Sequence, residues 1–259
     1  MPLSDKIKHH INKIYNLHRM HRICKEHGIS LPASFPYTYA DFIDIINTVK
    51  NYRRESNILI DIGSFSGGFS FFCNIMLNID HIICFEPNHD LNKQIKNNLS
   101  RVNKLIVEEI ALAQNNGPAT FFKHSSGSMS SIVKHDNSKL RSDFNFDDPN
   151  KIEEINIETV NLDTYIENNN LSNQKFFLKI DTQGNELNIL KGGQSTLKNT
   201  EICMIEHMFY SPYHSNYNFQ ELVDFMYSNY FECVGALDIS RRPSGKISGV
   251  DFLFHKSFK

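Results

Sequence analysis

Tryptophan is absent from this 259-residue chain, and no stretch of it stays apolar for the length of a membrane span. A helix crossing a bilayer needs about 18 or more predominantly apolar residues in a row, which excludes spanning helices. The amino-terminal MPLSDKIKHHINK also lacks the apolar core of a secretory leader, so the sequence reads as cytoplasmic with no integral membrane association. Surplus charge is missing too: 27 Lys and Arg against 29 Asp and Glu leave a formal net charge of -2. A partner held by bulk charge, nucleic acid included, is therefore not expected. The five cysteines, Cys24, Cys73, Cys84, Cys203 and Cys233, are odd in number and form no CxxC pair. Most lie in apolar runs, and they read as reduced, buried thiols rather than metal ligands or a disulfide framework.

What is present suits a globular chain long enough to remove roughly three quarters of its unfolded surface from water. Residues 1 to about 30 are locally basic, and Ile7, Ile11, Ile14, Leu17 and Met20 recur at helical spacing. This predicts an amphipathic helix within an N-terminal extension over 1–50: a cap on the domain, a contact for a homo-oligomer, or a surface that docks onto an acidic substrate or a membrane. A second helix is expected from about Tyr39 to Arg54. Strands and helices then alternate. The strands are NILIDIG near 57–63, HIICFEP near 81–87, KLIVEEIAL near 104–112, FFLKID near 176–181 and ICMIEHM near 202–208. Helices fit at 68–77, 90–99, 185–190 and 219–228, an order that means a parallel sheet covered on both faces. FECVGALDI and VDFLFHK form a closing antiparallel pair around RRPSGK. The polar excursion from Gly117 to Asn161 is too long for a simple connection and reads as an insertion serving as a lid.

Three motifs carry chemistry. DIGSFSGGFS, Asp61 to Ser70, joins a strand to a helix but has Phe65 where a dinucleotide fingerprint needs glycine. What remains is DxGxxxG, with Asp61, Gly63 and Gly67. Its glycines either make a tight turn alone or let backbone approach a ligand, with an acid beside it for a cation. In FEPN, Glu86 ends the next strand about 23 residues after Gly63, the arrangement that lets an acid accept ribose hydroxyls. In FFLKIDTQGNELNILKGG, Lys179 and Asp181 point to one side of an otherwise apolar strand, whose carboxyl end is where open sheets bind ligands. Charges there are costly unless paired or functional, and Lys179 is expected to pair with Asp181 or with Glu206.

Taken in order, DIGSFSGGFS, CFEPN, EIAL, VNLDTYI, LKIDTQGNELNILKGG and IEHMFYSPY resemble the FkbM family of S-adenosylmethionine-dependent methyltransferases, over about 57–257. The resemblance implies an α/β fold of the class I methyltransferase (Rossmann-like) type. That is a mainly parallel seven-stranded sheet with a terminal antiparallel hairpin and helices on both faces, here occupying 51–259. It implies S-adenosyl-L-methionine as cofactor, held by Asp61, Gly63, Ser64, Phe65, Gly67, Ser70, Glu86, Pro87, Ala111, Asp181 and Gln183. Ser64 and Phe65 depart from the small-residue and amide pair common in family loops. Implied too is O-methylation of a hydroxyl on a sugar, a glycan or a secondary metabolite.

A sugar hydroxyl is a poor nucleophile at neutral pH, so a base is expected. His207 is expected to be that base, with Asp181 as its competitor or an electrostatic neighbour, since neighbouring parallel strands are about 4.8 Å apart and both side chains can reach one pocket. Tyr210, Tyr213 and His214, with Ser128 and Ser131 of the serine-rich segment 125–133, are candidate substrate contacts. Two other classes remain open. One is a catalytically idle cofactor-binding scaffold. The other is a nucleic-acid methyltransferase, disfavoured because the fourth strand runs into DTQG rather than an Asn-Pro-Pro-aromatic motif. Asp163 and Asp181 could converge, but no multi-carboxylate spacing argues for a metal.

Overall fold

The computed structural model describes residue 22 and residues 38–125, 127–136, 152–214, 217–242 and 244–257. The basic segment expected to be an amphipathic helix, and any oligomer contact through it, lies outside the described residues, as does Cys24. Residues 1–51 and 52–259 are two compact units. Helix α1, Thr38–Tyr52, belongs to the first unit up to its final residue.

The second unit is built on a seven-stranded sheet. Strands β1 (Ile58–Ile62) and β2 (His81–Phe85) are five residues each and buried almost throughout, as β-branched and aromatic runs must be when helices cover both faces. Between them runs α2, Gly68–Leu77. Helix α3, His89–Asn98, follows, its first turn capped by the Asn88 side chain accepting from the Asp90 N–H, and leads to β3, Lys104–Glu108. The expected single strand over 104–112 divides here. Ala111–Leu112 (β4) leaves for a second sheet with β5 (Gly117–His124) and β6 (Ile152–Val160), in the order β4-β6-β5. The excursion from 117 to 161 thus contains two strands that the sequence reading passed over. Ile155 and Ile157 alternate with polar residues in IEEINIETV, the period of a half-buried strand, and were the available signal.

Helix α4 (Leu162–Asn168) precedes β7 (Phe176–Ile180), and the short helices α5 (Glu186–Lys191) and α6 (Gln194–Lys198) precede β8 (Thr200–Met208). Helix α7, Phe219–Ser228, opens on a capping box between Asn218 and Glu221. The hairpin β9 (Phe231–Arg241) and β10 (Ile247–Lys256) closes the sheet. Its order is β3-β2-β1-β7-β8-β10-β9, parallel up to β8 and antiparallel at β10, which is the class I methyltransferase arrangement. Register sets the site: Asp61 pairs with Lys179, and Lys179 with Met204, so the ends of β1, β7 and β8 lie side by side. Beneath them pack Ile60, Ile62, Leu178, Ile180, Cys203 and Ile205, all buried, with Phe85 edge-on to Tyr165 at 4.7 Å between ring centroids. Cys73, Cys84 and Cys203 are buried as expected, but Cys233 is exposed, because β9 is the sheet's edge.

Asp163 does not turn toward Asp181. Its carboxylate accepts the N–H groups of Ser195 and Thr196 and the Thr196 hydroxyl, at 2.9, 2.7 and 2.7 Å, and so caps α6. Asp163→Ala is expected to lower stability by about 1–2 kcal/mol, the range for a lost helix cap, while the site described below keeps its ligand affinity. Urea unfolding checks the first half and calorimetry the second.

Candidate active site

The turn from β1 into α2 is pinned by backbone. The Gly63 and Ser64 N–H groups donate to the Phe85 carbonyl at 3.0 and 3.2 Å. Gly63 has φ +76°, and a Cβ there would run into the Asp181 carbonyl oxygen; at Gly67, also φ +76°, it would meet Leu99 at 3.3 Å. Both glycines are thus demanded by the turn itself. Asp61 is fully buried behind the turn, where its Oδ2 accepts from Ser70 Oγ at 2.6 Å and its Oδ1 lies 3.7 Å from Lys179 Nζ. Burial raises its pKa against the pull of Lys179 and Ser70. Of the expected cofactor contacts, Asp61, Ser64, Gly67 and Ser70 are buried at the turn and lie outside the cleft lining. Phe65, in the left-handed region at φ 50°, is 37 % exposed and does line the cleft.

Glu86 stands on the cleft wall, 6 % exposed. Its Oε2 accepts from the Phe65 N–H and its Oε1 from the Asn88 N–H, both at 2.9 Å, so it ties the first loop to the second. Burial pushes its pKa up to about 7, against those two bonds. Each oxygen keeps a lone pair for a further donor. Beside it Pro87, Ile110, Ala111, Leu112 and Phe121 form an apolar slot.

At the end of β7, Lys179 Nζ donates to Asp181 Oδ2 at 3.0 Å and to the Gly63 carbonyl at 3.3 Å. Burial opposes its charge, but Asp181 and Asp61 hold its pKa above the usual value. Of the two partners expected for it, Asp181 is the one it takes. Gln183, at φ 60°, donates through Nε2 both to Asp181 Oδ1 at 2.8 Å and to Glu206 Oε2 at 2.7 Å. Burial works to raise the Asp181 pKa, but Lys179 and the bonds from Glu206 and Gln183 bring it below the ordinary range. Burial, with Asp181 and Asp251 near, pushes Glu206 well up, so Glu206 is the member of the pair that keeps a proton. Glu186 accepts from the Thr182 and Gly184 N–H groups at 2.9 and 3.0 Å and from the Tyr217 hydroxyl at 2.6 Å, fixing the turn that carries Gln183. Glu186 and Tyr217 were not picked out from sequence; Glu206 was expected only as a partner for Lys179, and it meets Gln183 instead.

The segment between β5 and β6 closes the cleft from above. Gly127, Ser128, Ser130, Ser131 and Ile132 line it, and Ser131 Oγ lies 3.0 and 3.1 Å from the carbonyls of Thr182 and Gln183. The cleft has about 810 Å³ of empty space including its mouth. Among the expected cofactor contacts it gathers Gly63, Phe65, Glu86, Pro87, Ala111, Asp181 and Gln183, and with them Ser128 and Ser131.

It does not gather His207. Period-two alternation along β8 sends Glu206 toward Asp181 and His207 through the opposite face, where its ring stands 4.9 Å from Phe209, 5.6 Å from Tyr217 and 5.3 Å from Phe219. Strand spacing alone had put His207 and Asp181 in one pocket, and strand parity separates them. Burial lowers the His207 pKa to about 4. His207, Tyr213 and His214 line a second cavity; Tyr210 lines neither and lies under Arg242, 3.9 Å from its guanidinium carbon.

Lys179 is the strongest structural commitment in the site. Lys179→Met leaves Asp181 and Asp61 facing each other without their cation, and is expected to cost about 3–5 kcal/mol of stability, the range for breaking a buried ion pair. Denaturant unfolding at pH 7 reads this directly; a loss under ~1 kcal/mol would mean the pair is dispensable.

Comparison with known proteins places this geometry. Residues 61–233 match the family model described as the methyltransferase FkbM domain. A hexuronic acid methyltransferase, AglP, of Haloferax volcanii is 23% identical over 164 residues, covering 63% of this chain and 61% of its own length. The chain therefore spans less than two thirds of that relative. Solved structures similar in trace include TrmK of M. capricolum in complex with S-adenosyl-homocysteine (TM-score 0.46, 10% identity, 82% of this chain and 67% of that one). Another is a putative RNA methyltransferase from Pyrococcus horikoshii (TM-score 0.43, 10% identity, 86% and 84%). The family match covers more than half of the chain, and the chain belongs to the FkbM-domain methyltransferases, with S-adenosyl-L-methionine as cofactor.

Proposed function

We propose that the chain transfers the methyl group of S-adenosyl-L-methionine to a hydroxyl of a sugar, a glycan or another small molecule, with Asp181 receiving the hydroxyl proton. The observation that carries this is the charge of the cleft: among the described residues, its charged lining groups are two acids, Glu86 and Asp181. An anionic cleft with an apolar slot suits a ligand that joins a flat base, a ribose and a sulfonium cation. Glu86 would accept from the ribose hydroxyls, and the slot of Pro87, Ile110, Ala111, Leu112 and Phe121 would take the base. When bound, the cofactor supplies a methyl group on positively charged sulfur.

The chain's own residues must hold the acceptor in line and take its proton. Lys179 Nζ and Gln183 Nε2 fix one oxygen each of Asp181, so its carboxylate cannot rotate away. Its low basicity is no obstacle, because a hydroxyl oxygen gaining a new bond becomes positive and its proton strongly acidic. The proton then passes to the Asp181 carboxylate, beside Glu206 and Gln183. The strap from Gly127 to Ile132 would act as the lid that keeps water out. The hexuronic acid relative supports a carbohydrate acceptor.

Two outcomes are expected. S-adenosylhomocysteine should bind with affinity that falls by up to about tenfold per pH unit below the Glu86 pKa of about 7, since a protonated carboxyl loses an acceptor. Glu86→Gln should flatten that dependence and weaken binding by about 1–3 kcal/mol; calorimetry between pH 5.5 and 8.5 checks both. Asp181→Asn should lower turnover by about 100- to 10,000-fold with S-adenosylhomocysteine affinity within a few fold. Labelled methyl transfer to a panel of methyl hexosides and hexuronosides reads this, and near-normal turnover would remove Asp181 as proton acceptor.

A further inference from the structure

The second cavity, at the end of β8, shares no lining residue with the cleft. It has about 820 Å³ of empty space including its mouth, and among the described residues no Asp, Glu, Lys or Arg lines it. Its walls are aromatic: Phe209 and Phe219 meet at 5.1 Å, and Tyr217 closes one side. Phe209 is 47 % exposed, unusual for a ring so close to three others, and core packing does not account for it. His207 lines the cavity at 5 % exposure, and its Nδ1, sealed from solvent, has no hydrogen-bond partner among the described residues. Burial disfavours the imidazolium, and a neutral imidazole can share a hydrogen bond with a hydroxyl group.

The cavity shares a wall with the cleft. Glu186 bonds Thr182 on the cleft side and the Tyr217 hydroxyl on the cavity side. Tyr213, which lines the cavity, donates its hydroxyl to the Met129 carbonyl in the strap above the cleft at 3.0 Å. The two cavities therefore lie side by side.

We propose that this cavity is a subsite for an uncharged pyranose ring of a glycan acceptor, next to the sugar that is methylated, with the ring's apolar face on Phe209 and a hydroxyl on His207. The subsite rests on the acceptor reading given above and specifies it: the substrate has at least two sugar rings, and the one in this cavity bears no charge. Aromatic faces with a neutral donor and acceptor recognise a sugar's alternation of C–H face and hydroxyl edge; an anionic group would find no cation here.

Saturation-transfer NMR on the full chain, saturated with S-adenosylhomocysteine, tests this using a panel of methyl pyranosides and of neutral and uronic-acid-containing disaccharides. At least one disaccharide should show transfer to the protons of a neutral ring and bind more tightly than its component methyl pyranosides. Phe209→Ala should weaken that disaccharide about tenfold, the scale of a lost aromatic contact, and His207→Leu should weaken it similarly. Both variants should keep wild-type S-adenosylhomocysteine affinity. No transfer from any panel member while S-adenosylhomocysteine binds, or transfer unchanged in both variants, overturns the subsite and leaves the methyltransferase reading intact. Failure of wild type to bind S-adenosylhomocysteine would bring down the cofactor reading and the subsite with it.

Discussion

One buried ammonium organises the cleft end of the sheet. Lys179 Nζ touches Asp181, Asp61 and the Gly63 carbonyl, groups that belong to two strands and a turn. Charge in a strand buried on both faces is tolerable only when its neighbours return the lost hydration. Here the return is also positional: the ion pair fixes the carboxylate that faces the cleft, and the carbonyl bond fixes the turn at the cleft floor. Lys179 is thus structural in its contacts and functional in what those contacts hold.

Carboxylates do the same work around it, as acceptors for backbone N–H groups that no strand or helix satisfies. Glu86 closes the loops after β1 and β2 on each other, and Glu186 ties the turn after β7. At the opposite end of the sheet Glu201 takes the N–H groups of Arg54, Glu55 and Ser56. An acid so used is rigid, because moving it would strand buried amides. This is how Glu86 can present lone pairs to a ligand from a fixed position. Left-handed backbone at Phe65 and Gln183, both on the cleft, is strain these bonds stabilise.

The two faces of β8 divide the chemistry. Glu206 joins the charged network around Asp181, and His207, one residue on, joins an aromatic cluster on the other side. The protein thereby separates a charged, hydrogen-bonded face from an aromatic one while keeping both at the carboxyl ends of the parallel strands, where open sheets bind ligands.

The sequence by itself determined the main sheet, because strands buried on both faces are written as unbroken apolar runs and the helices between them carry their caps and periodicity. It also determined that Gly63, Glu86 and Asp181 would meet, since each ends or follows a strand whose neighbours were set by that order. Only tertiary structure decided what met them. The second sheet escaped because its alternating strands are interleaved with polar residues and separated by 27 positions, so their pairing is non-local. That Asp61 and Ser70 bond each other outside the cleft lining is likewise something spacing does not encode. The exclusion of His207 follows from a parity that was readable, but it mattered only once Asp181 and Glu206 were known to share a face. Distance along a strand gives reach, and only the folded sheet gives direction.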